Sequence, residues 1–244
     1  MQKTYGLLGK NISYSFSKKY FTSKFANDNI TDAVYQNFDI NSLSEFKKII
    51  KETPNLKGLN VTIPYKETIF PYLDKVSGKA VRIGAVNTIR ITKKGKLKGY
   101  NTDAYGFKKS LQPLLKKHHK KALILGTGGA SKAVAYALKK MHISYQFVSR
   151  TKSNNFSYQS LTSAVISEHQ IIINCTPLGT HPNINEYPNI PYESITNQHL
   201  LYDLVYNPTE TLFLKKGKKN GATTTNGEQM LVLQAKKSWG IWNK

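Results

Sequence analysis

Cysteine is almost missing from this chain of 244 residues: Cys175 stands alone. A single thiol excludes an internal disulfide framework, so stability must come from a packed core. Long apolar runs are missing too. None approaches the ~18 residues that a membrane-spanning helix needs. The first ten residues, MQKTYGLLGK, lack the apolar stretch of a secretory signal. Acidic residues are scarce, 14 against 36 basic, which leaves a formal charge of +22. These absences predict a soluble protein of a reducing compartment, the cytoplasm, with no membrane partner.

An excess of positive charge can mark a nucleic-acid binder. Here the placement argues against one. The lysines fall as doublets spread along the chain, from Lys18-Lys19 to Lys236-Lys237, and not as one tail or stripe. A solvated, lysine-rich surface accounts for them. A nucleic-acid surface would interleave basic residues with exposed aromatics on one face, so no nucleic-acid partner is expected. The 39% apolar share suffices for a core and excludes a disordered chain.

The pattern predicts an α/β chain in two domains. Residues 5–8, 33–38 and 58–63 read as strands, the last stopped by Pro64. A helix is expected from a cap at Ser17 to about residue 27. Another is expected over 42–51, where Leu43, Phe46, Ile49 and Ile50 have helical spacing. Residues 87–92 and 97–100 flank KKGK as a hairpin, and a helix follows over 103–115. From Lys121 the texture changes. Residues 122–125, 145–148, 171–174 and 200–204 are strands of the apolar kind that a parallel sheet covers on both faces. Helices are expected over 130–141 and 229–239, and a loop over 180–197.

Between the strand at 122–125 and its helix lies Gly126-Thr127-Gly128-Gly129-Ala130-Ser131. This is the context in which a glycine pattern bears on dinucleotides. Gly126 permits a sharp turn, Gly128 and Gly129 permit close approach of a pyrophosphate, and the helix N-terminus offers free N–H groups. Ser131 stands at the third glycine position, so a plain strand–helix turn remains the other reading. The next strand ends Ser149-Arg150-Thr151, without the carboxylate that would bind a ribose 2′-hydroxyl. Arg150 could pair with a 2′-phosphate, which points to NADP(H) over NAD; otherwise it is a surface arginine.

Two further segments carry candidate chemistry. In GLNVTIPYK, residues 58–66, a strand ends in proline and Lys66 follows, expected at a helix start. In GYNTD, residues 99–103, Asp103 sits at a strand–helix junction. Lysine and aspartate at strand ends can work as acid and base. They can equally be a surface lysine and a helix cap.

Eight segments, taken in order, resemble the shikimate dehydrogenase family. Ser13-Tyr14-Ser15-Phe16-Ser17 is similar to its Ser-x-Ser motif, and residues 58–66 to G-x-N-V-T-x-P-x-K. Gly84-Ala85-Val86-Asn87-Thr88 resembles G-A-V-N-T, and Asn101-Thr102-Asp103 with Gly106-Phe107 resembles N-T-D-x-x-G-F. The glycine turn resembles G-x-G-G-A. Asn174-Cys175-Thr176 with Gly179 resembles N-x-T-x-x-G, and segments at 203–208 and 227–234 resemble the closing motifs. The chain departs from the family at Tyr14, Lys18, Ser149 and Thr180.

The resemblance implies NADPH-dependent, reversible reduction of 3-dehydroshikimate to shikimate. It implies Lys66 and Asp103 as the catalytic pair, and substrate contacts from Ser15, Ser17, Thr62, Asn87, Tyr206 and Gln234. Cofactor contacts would come from Gly126, Thr127, Gly128, Gly129, Ala130, Ser149, Arg150, Thr151, Leu204 and Gly227, with no metal. It implies an N-terminal α/β substrate domain, 1–102 with 227–244, and a Rossmann-type NADP-binding domain with a parallel sheet, 103–226. A monomer or homodimer is expected. The alternative is a quinate/shikimate dehydrogenase with relaxed substrate or NAD use.

Overall fold

A computed structural model describes residues 2–13, 15–150 and 156–244. The chain divides into two units, Met1–Tyr105 with Leu231–Lys244, and Gly106–Met230. The division falls inside two helices, a few residues past the motif-based expectation.

The first unit contains β1 (Lys3–Gly9), α1 (Phe16–Asn27), β2 (Ala33–Asp39), α2 (Phe46–Glu52), β3 (Leu56–Val61), β4 (Lys75–Val76), α3 (Gly78–Ile83), β5 (Thr88–Ile91) and β6 (Leu97–Tyr100), and α4 (Asp103–Leu111) begins in it. Its sheet has the order β2-β1-β3-β5-β6-β4. β1 runs parallel to β2 and β3, while β5 runs antiparallel to β3 and β6. Side chains alternate across the pleat. Leu8, Leu59 and Ile89 pack with Phe46, Ile69 and Val86 in one cluster. Tyr5 and Leu7 face another, with Phe21, Phe25, Tyr35 and Trp242.

Three local expectations need correction. Ser15, not Ser17, caps α1: its hydroxyl accepts the Lys18 N–H at 3.2 Å, and Ser17 lies inside the first turn, buried. Residues 42–51 start as a 3₁₀ turn under a Ser42–Glu45 capping box before α2 begins. Lys66 follows no helix start. It lies in a run of turns, where Tyr65 N–H donates to the Thr62 carbonyl and Ile69 N–H to that of Tyr65. α3 and the two-residue β4 have no clear sequence signal.

The second unit contains β7 (Lys121–Leu125), α5 (Gly129–Lys140), β8 (Ser144–Ser149), β9 (Phe156–Ser157), α6 (Ser163–Glu168), β10 (Ile171–Asn174), β11 (Leu200–Asp203), α7 (Leu212–Lys219) and β12 (Thr223–Thr225); α8 (Glu228–Trp242) then leads into the first unit. The sheet, in order β12-β11-β10-β7-β8-β9, is parallel throughout. Leu123, Ile124, Ile172, Ile173 and Leu201 are fully buried, as strands sandwiched between helices require. This is the parallel sheet that the apolar runs predict and the Rossmann-type domain that the resemblance implies. The chain leaves β7 toward β8 on one side and returns to β10 on the other. The carboxyl ends of β7 and β10 therefore form the switch point where open α/β sheets bind ligands. Among the described residues no helix is long and apolar enough to cross a membrane.

Candidate active site

Lys66 and Asp103 come together. Lys66 Nζ donates to Asp103 Oδ2 at 2.7 Å, with side chains 15% and 6% exposed. Asp103 opens α4 without capping it. Asn101 takes the capping role by accepting the Ala104 N–H at 3.1 Å, which leaves the Asp103 carboxylate free to face the site. Its other oxygen, Oδ1, accepts the Asn87 amide at 2.7 Å.

Asn87 is held in turn. Its Oδ1 accepts the Thr102 backbone N–H at 2.7 Å, which fixes Nδ2 as the end that faces Asp103. The same Nδ2 lies 3.4 Å from Gln234 Oε1. Lys66, Asn87, Asp103 and Gln234 thus form one connected set. Ser17 is buried in the first turn of α1, and the Tyr35 hydroxyl donates to Asn60 Oδ1 at 2.9 Å. Thr62 is fixed through its main chain, its N–H donating to Leu8 O at 2.9 Å. Tyr206 belongs to the second unit, half-buried beyond β11.

Asn60, Thr88 and Thr102 stand inside the motifs but were assigned no site role, and Ser238 lies outside them; all four are buried polar residues of this set. One signal was available. Gln234, Ser238 and Trp242 recur every fourth residue, a single face of a helix.

The second unit builds the glycine turn at its switch point. Gly126 has φ +101°, and a Cβ there would press on Thr176 Cγ2 at 3.1 Å. Gly128 caps α5 without a side-chain bond to the helix, and a Cβ on it would meet nothing within 4 Å. The main chain at the helix cap is therefore open to close approach, as a pyrophosphate requires. Ser131 explains the incomplete motif: it is fully buried and donates to the Gly128 carbonyl at 2.6 Å. Leu204 and Gly227 are brought together, since a Cβ on Gly227 would lie 2.2 Å from Leu204 O. Ser149 ends β8 and Arg150 follows, exposed; Thr151 lies outside the described residues. These residues fit a dinucleotide.

Beside the turn, Asp203 is fully buried. Its carboxylate accepts from Asn174 Nδ2 at 2.9 Å, Val205 N–H at 3.0 Å and Thr211 hydroxyl at 2.6 Å. Burial nonetheless pushes it up to about 6, against these bonds.

A buried lysine–carboxylate pair in one unit, and a glycine turn at the switch point of a parallel sheet in the other, define a dinucleotide-dependent dehydrogenase. The family description "Shikimate dehydrogenase substrate binding domain" matches residues 7–89. Shikimate dehydrogenase (NADP(+)) of Clostridium botulinum is 38% identical over 255 residues, 98% of this chain and 96% of that protein. The chain belongs to the shikimate dehydrogenase family. Shikimate 5-dehydrogenase of Thermus thermophilus, solved with NADP(H) and shikimate, superposes with TM-score 0.87 at 29% identity, over 99% of this chain and 93% of that one. Quinate dehydrogenase of Corynebacterium glutamicum, solved with NAD, has the same TM-score of 0.87 at 25% identity, with coverages of 99% and 93%.

Proposed function

We propose that this protein catalyses the reversible NADPH-dependent reduction of 3-dehydroshikimate to shikimate in the cytoplasm, as a monomer or homodimer. One observation carries the reading: Lys66 Nζ stands 2.7 Å from Asp103 Oδ2 while Asn87 holds the other carboxylate oxygen. The first unit, on this reading, binds the substrate and moves the proton. Ser15 and Ser17 bind the carboxylate; Thr62, Asn87 and Gln234 read hydroxyls. Sites that pair hydroxyls reject analogues lacking them.

NADPH, when bound, supplies the hydride to the substrate's C3 carbonyl. Gly126, Thr127, Gly128, Gly129, Ala130, Ser149, Arg150, Thr151, Leu204 and Gly227 would hold it. As charge develops on the carbonyl oxygen, the Lys66 ammonium donates its proton there. In the oxidative direction neutral Lys66 removes the hydroxyl proton. Asp103 holds the Lys66 nitrogen in place and accepts a neighbouring substrate hydroxyl.

The rival reading is quinate oxidation with NAD. The end of β8 argues against it, because Ser149 and Arg150 offer a 2′-phosphate donors and no carboxylate. The test is an absorbance assay of shikimate and quinate side by side, each with NADP⁺ and NAD⁺. Turnover of shikimate with NADP⁺ is expected to dominate. Turnover of quinate with NAD⁺ alone would establish the rival, and none with any pair would remove both.

A further inference from the structure

Ser238 lies in α8, outside every motif. It is fully buried, and its hydroxyl sits at a junction. Ser238 Oγ is 2.8 Å from Thr88 Oγ1 and 3.1 Å from Thr102 Oγ1. It accepts the Asn60 amide at 3.0 Å and can donate to the Gln234 carbonyl one turn back, also at 3.0 Å.

Two branches meet there. One runs to the proton-transfer pair. The Thr88 and Thr102 hydroxyls lie 3.0 and 3.1 Å from Asn87 Oδ1, and Asn87 Nδ2 holds Asp103, which holds Lys66. The other runs through Asn60 to the Tyr35 hydroxyl. The helix that carries the junction is fixed in register one turn later. Trp242 Nε1 donates to Ile89 O at 2.9 Å, and its ring packs on Tyr5 and Phe21 with centroids 5.1 and 5.3 Å away.

We propose that Ser238 is a positioning residue for the Lys66–Asp103 pair, its hydroxyl locking the Thr88 and Thr102 hydroxyls that hold the Asn87 amide against Asp103. The role rests on the function proposed above. Buried hydroxyls rotate to suit their partners. With Ser238 oxygen removed, Asn60 Nδ2 loses an acceptor and both threonine hydroxyls lose a neighbour. The grip on Asn87 then loosens, while nothing at the glycine turn is touched.

The test compares Ser238→Ala, Thr88→Val and the double variant. Thr88→Val keeps the shape and deletes only the hydroxyl, so it serves if Ser238→Ala does not fold. Small displacements of catalytic groups cost up to roughly a hundredfold in rate. Each single variant is expected to lower kcat for shikimate oxidation roughly ten- to hundredfold, with KM for NADP⁺ unchanged. The double variant should be no worse than the poorer single one, because both break one network. Multiplying effects, a kcat within about twofold of wild type, or a KM for NADP⁺ rising in step with the fall in kcat, would overturn the proposal. Hydrogen exchange of the Asn87 side-chain amide, assigned by its loss in Asn87→Ser, provides a readout that needs no turnover. It should quicken in Ser238→Ala. Unchanged exchange refutes the positioning role whatever the substrate, whereas quickened exchange in a protein that does not oxidise shikimate refutes only the functional reading.

Discussion

Asp103 divides its carboxylate between two partners, and Lys66 takes the oxygen that Asn87 leaves, at 2.7 Å. The two residues are 37 positions apart and both lie largely out of water. A buried ion pair is costly unless its remaining hydrogen-bonding capacity is met. Here the Asn87 amide, itself fixed from behind, meets that capacity on the carboxylate side alone. An arrangement with that cost is better explained by chemistry than by stability.

Lys66→Met tests this directly. The substitution keeps the length and removes the proton donor. Positioned acid–base groups contribute about 10²–10⁴ in rate, so kcat for shikimate oxidation should fall by that order. The NADP⁺ dissociation constant, measured by fluorescence titration, should hold, since Lys66 is not among the proposed cofactor contacts. A kcat within a few-fold of wild type would remove Lys66 from the mechanism.

On the proposed reading, cofactor choice turns on Arg150. Hydrogen bonds to charged groups contribute about 1.5–3 kcal/mol, or roughly ten- to a hundredfold. Arg150→Ala should therefore lower kcat/KM for NADP⁺ by that factor and leave the NAD⁺ value nearly unchanged. Equal losses with both cofactors would mean that Arg150 does not read the 2′-phosphate.

The parallel sheet of the second unit was legible because its strands are buried on both faces and so are apolar without interruption. Residues 171–174 were placed without error. α7 was missed for the opposite reason: after Leu212, Phe213 and Leu214 its sequence is KKGKK, and only burial of that short apolar end marks it as a helix. β12 is three threonines joined to β11. At the site, Lys66 and Asp103 were legible by motif, yet their contact was not, since it depends on turns that bring residue 66 back to the start of α4. Of the polar residues behind them, Asn60, Thr88 and Thr102 stood in motifs without an assigned role, and Ser238 was silent altogether. The Asn60–Ser238 bond spans 178 positions, and no local pattern records such a pairing.

Glycine was legible at Gly227 by resemblance, and the packing now gives the reason. A Cβ there would strike Leu204 backbone oxygen at 2.2 Å, where no side chain can yield. Gly227→Ala should cost about 1–3 kcal/mol through forced backbone movement, lowering the melting temperature by several degrees and raising KM for NADP⁺. Gly240 provides the control. It lies exposed in α8, a Cβ on it meets nothing within 4 Å, and Gly240→Ala should stabilise by about 0.5–1 kcal/mol. If Gly227→Ala melts like wild type with unchanged KM, the close approach carries no weight.

Asp203 should make stability fall as pH rises. Burial holds its carboxyl at about 6 against an ordinary 3.8, so between these values the folded chain keeps a proton that the unfolded chain releases. Stability then declines with rising pH through that window and levels off above it. The cost at neutral pH is on the order of 3 kcal/mol. Asp203→Asn should abolish this dependence. Its carbonyl oxygen can keep the Asn174 and Val205 donors at Oδ1, and the Thr211 hydroxyl can turn to accept from the new amide. Other titrating groups act alike in both proteins, so the quantity to measure is the difference in urea unfolding free energy between variant and wild type. It should be near zero at about pH 4 and grow in favour of the variant to a plateau above about pH 7. A difference that stays constant across that range would mean that the Asn174, Val205 and Thr211 donors compensate fully for the buried charge.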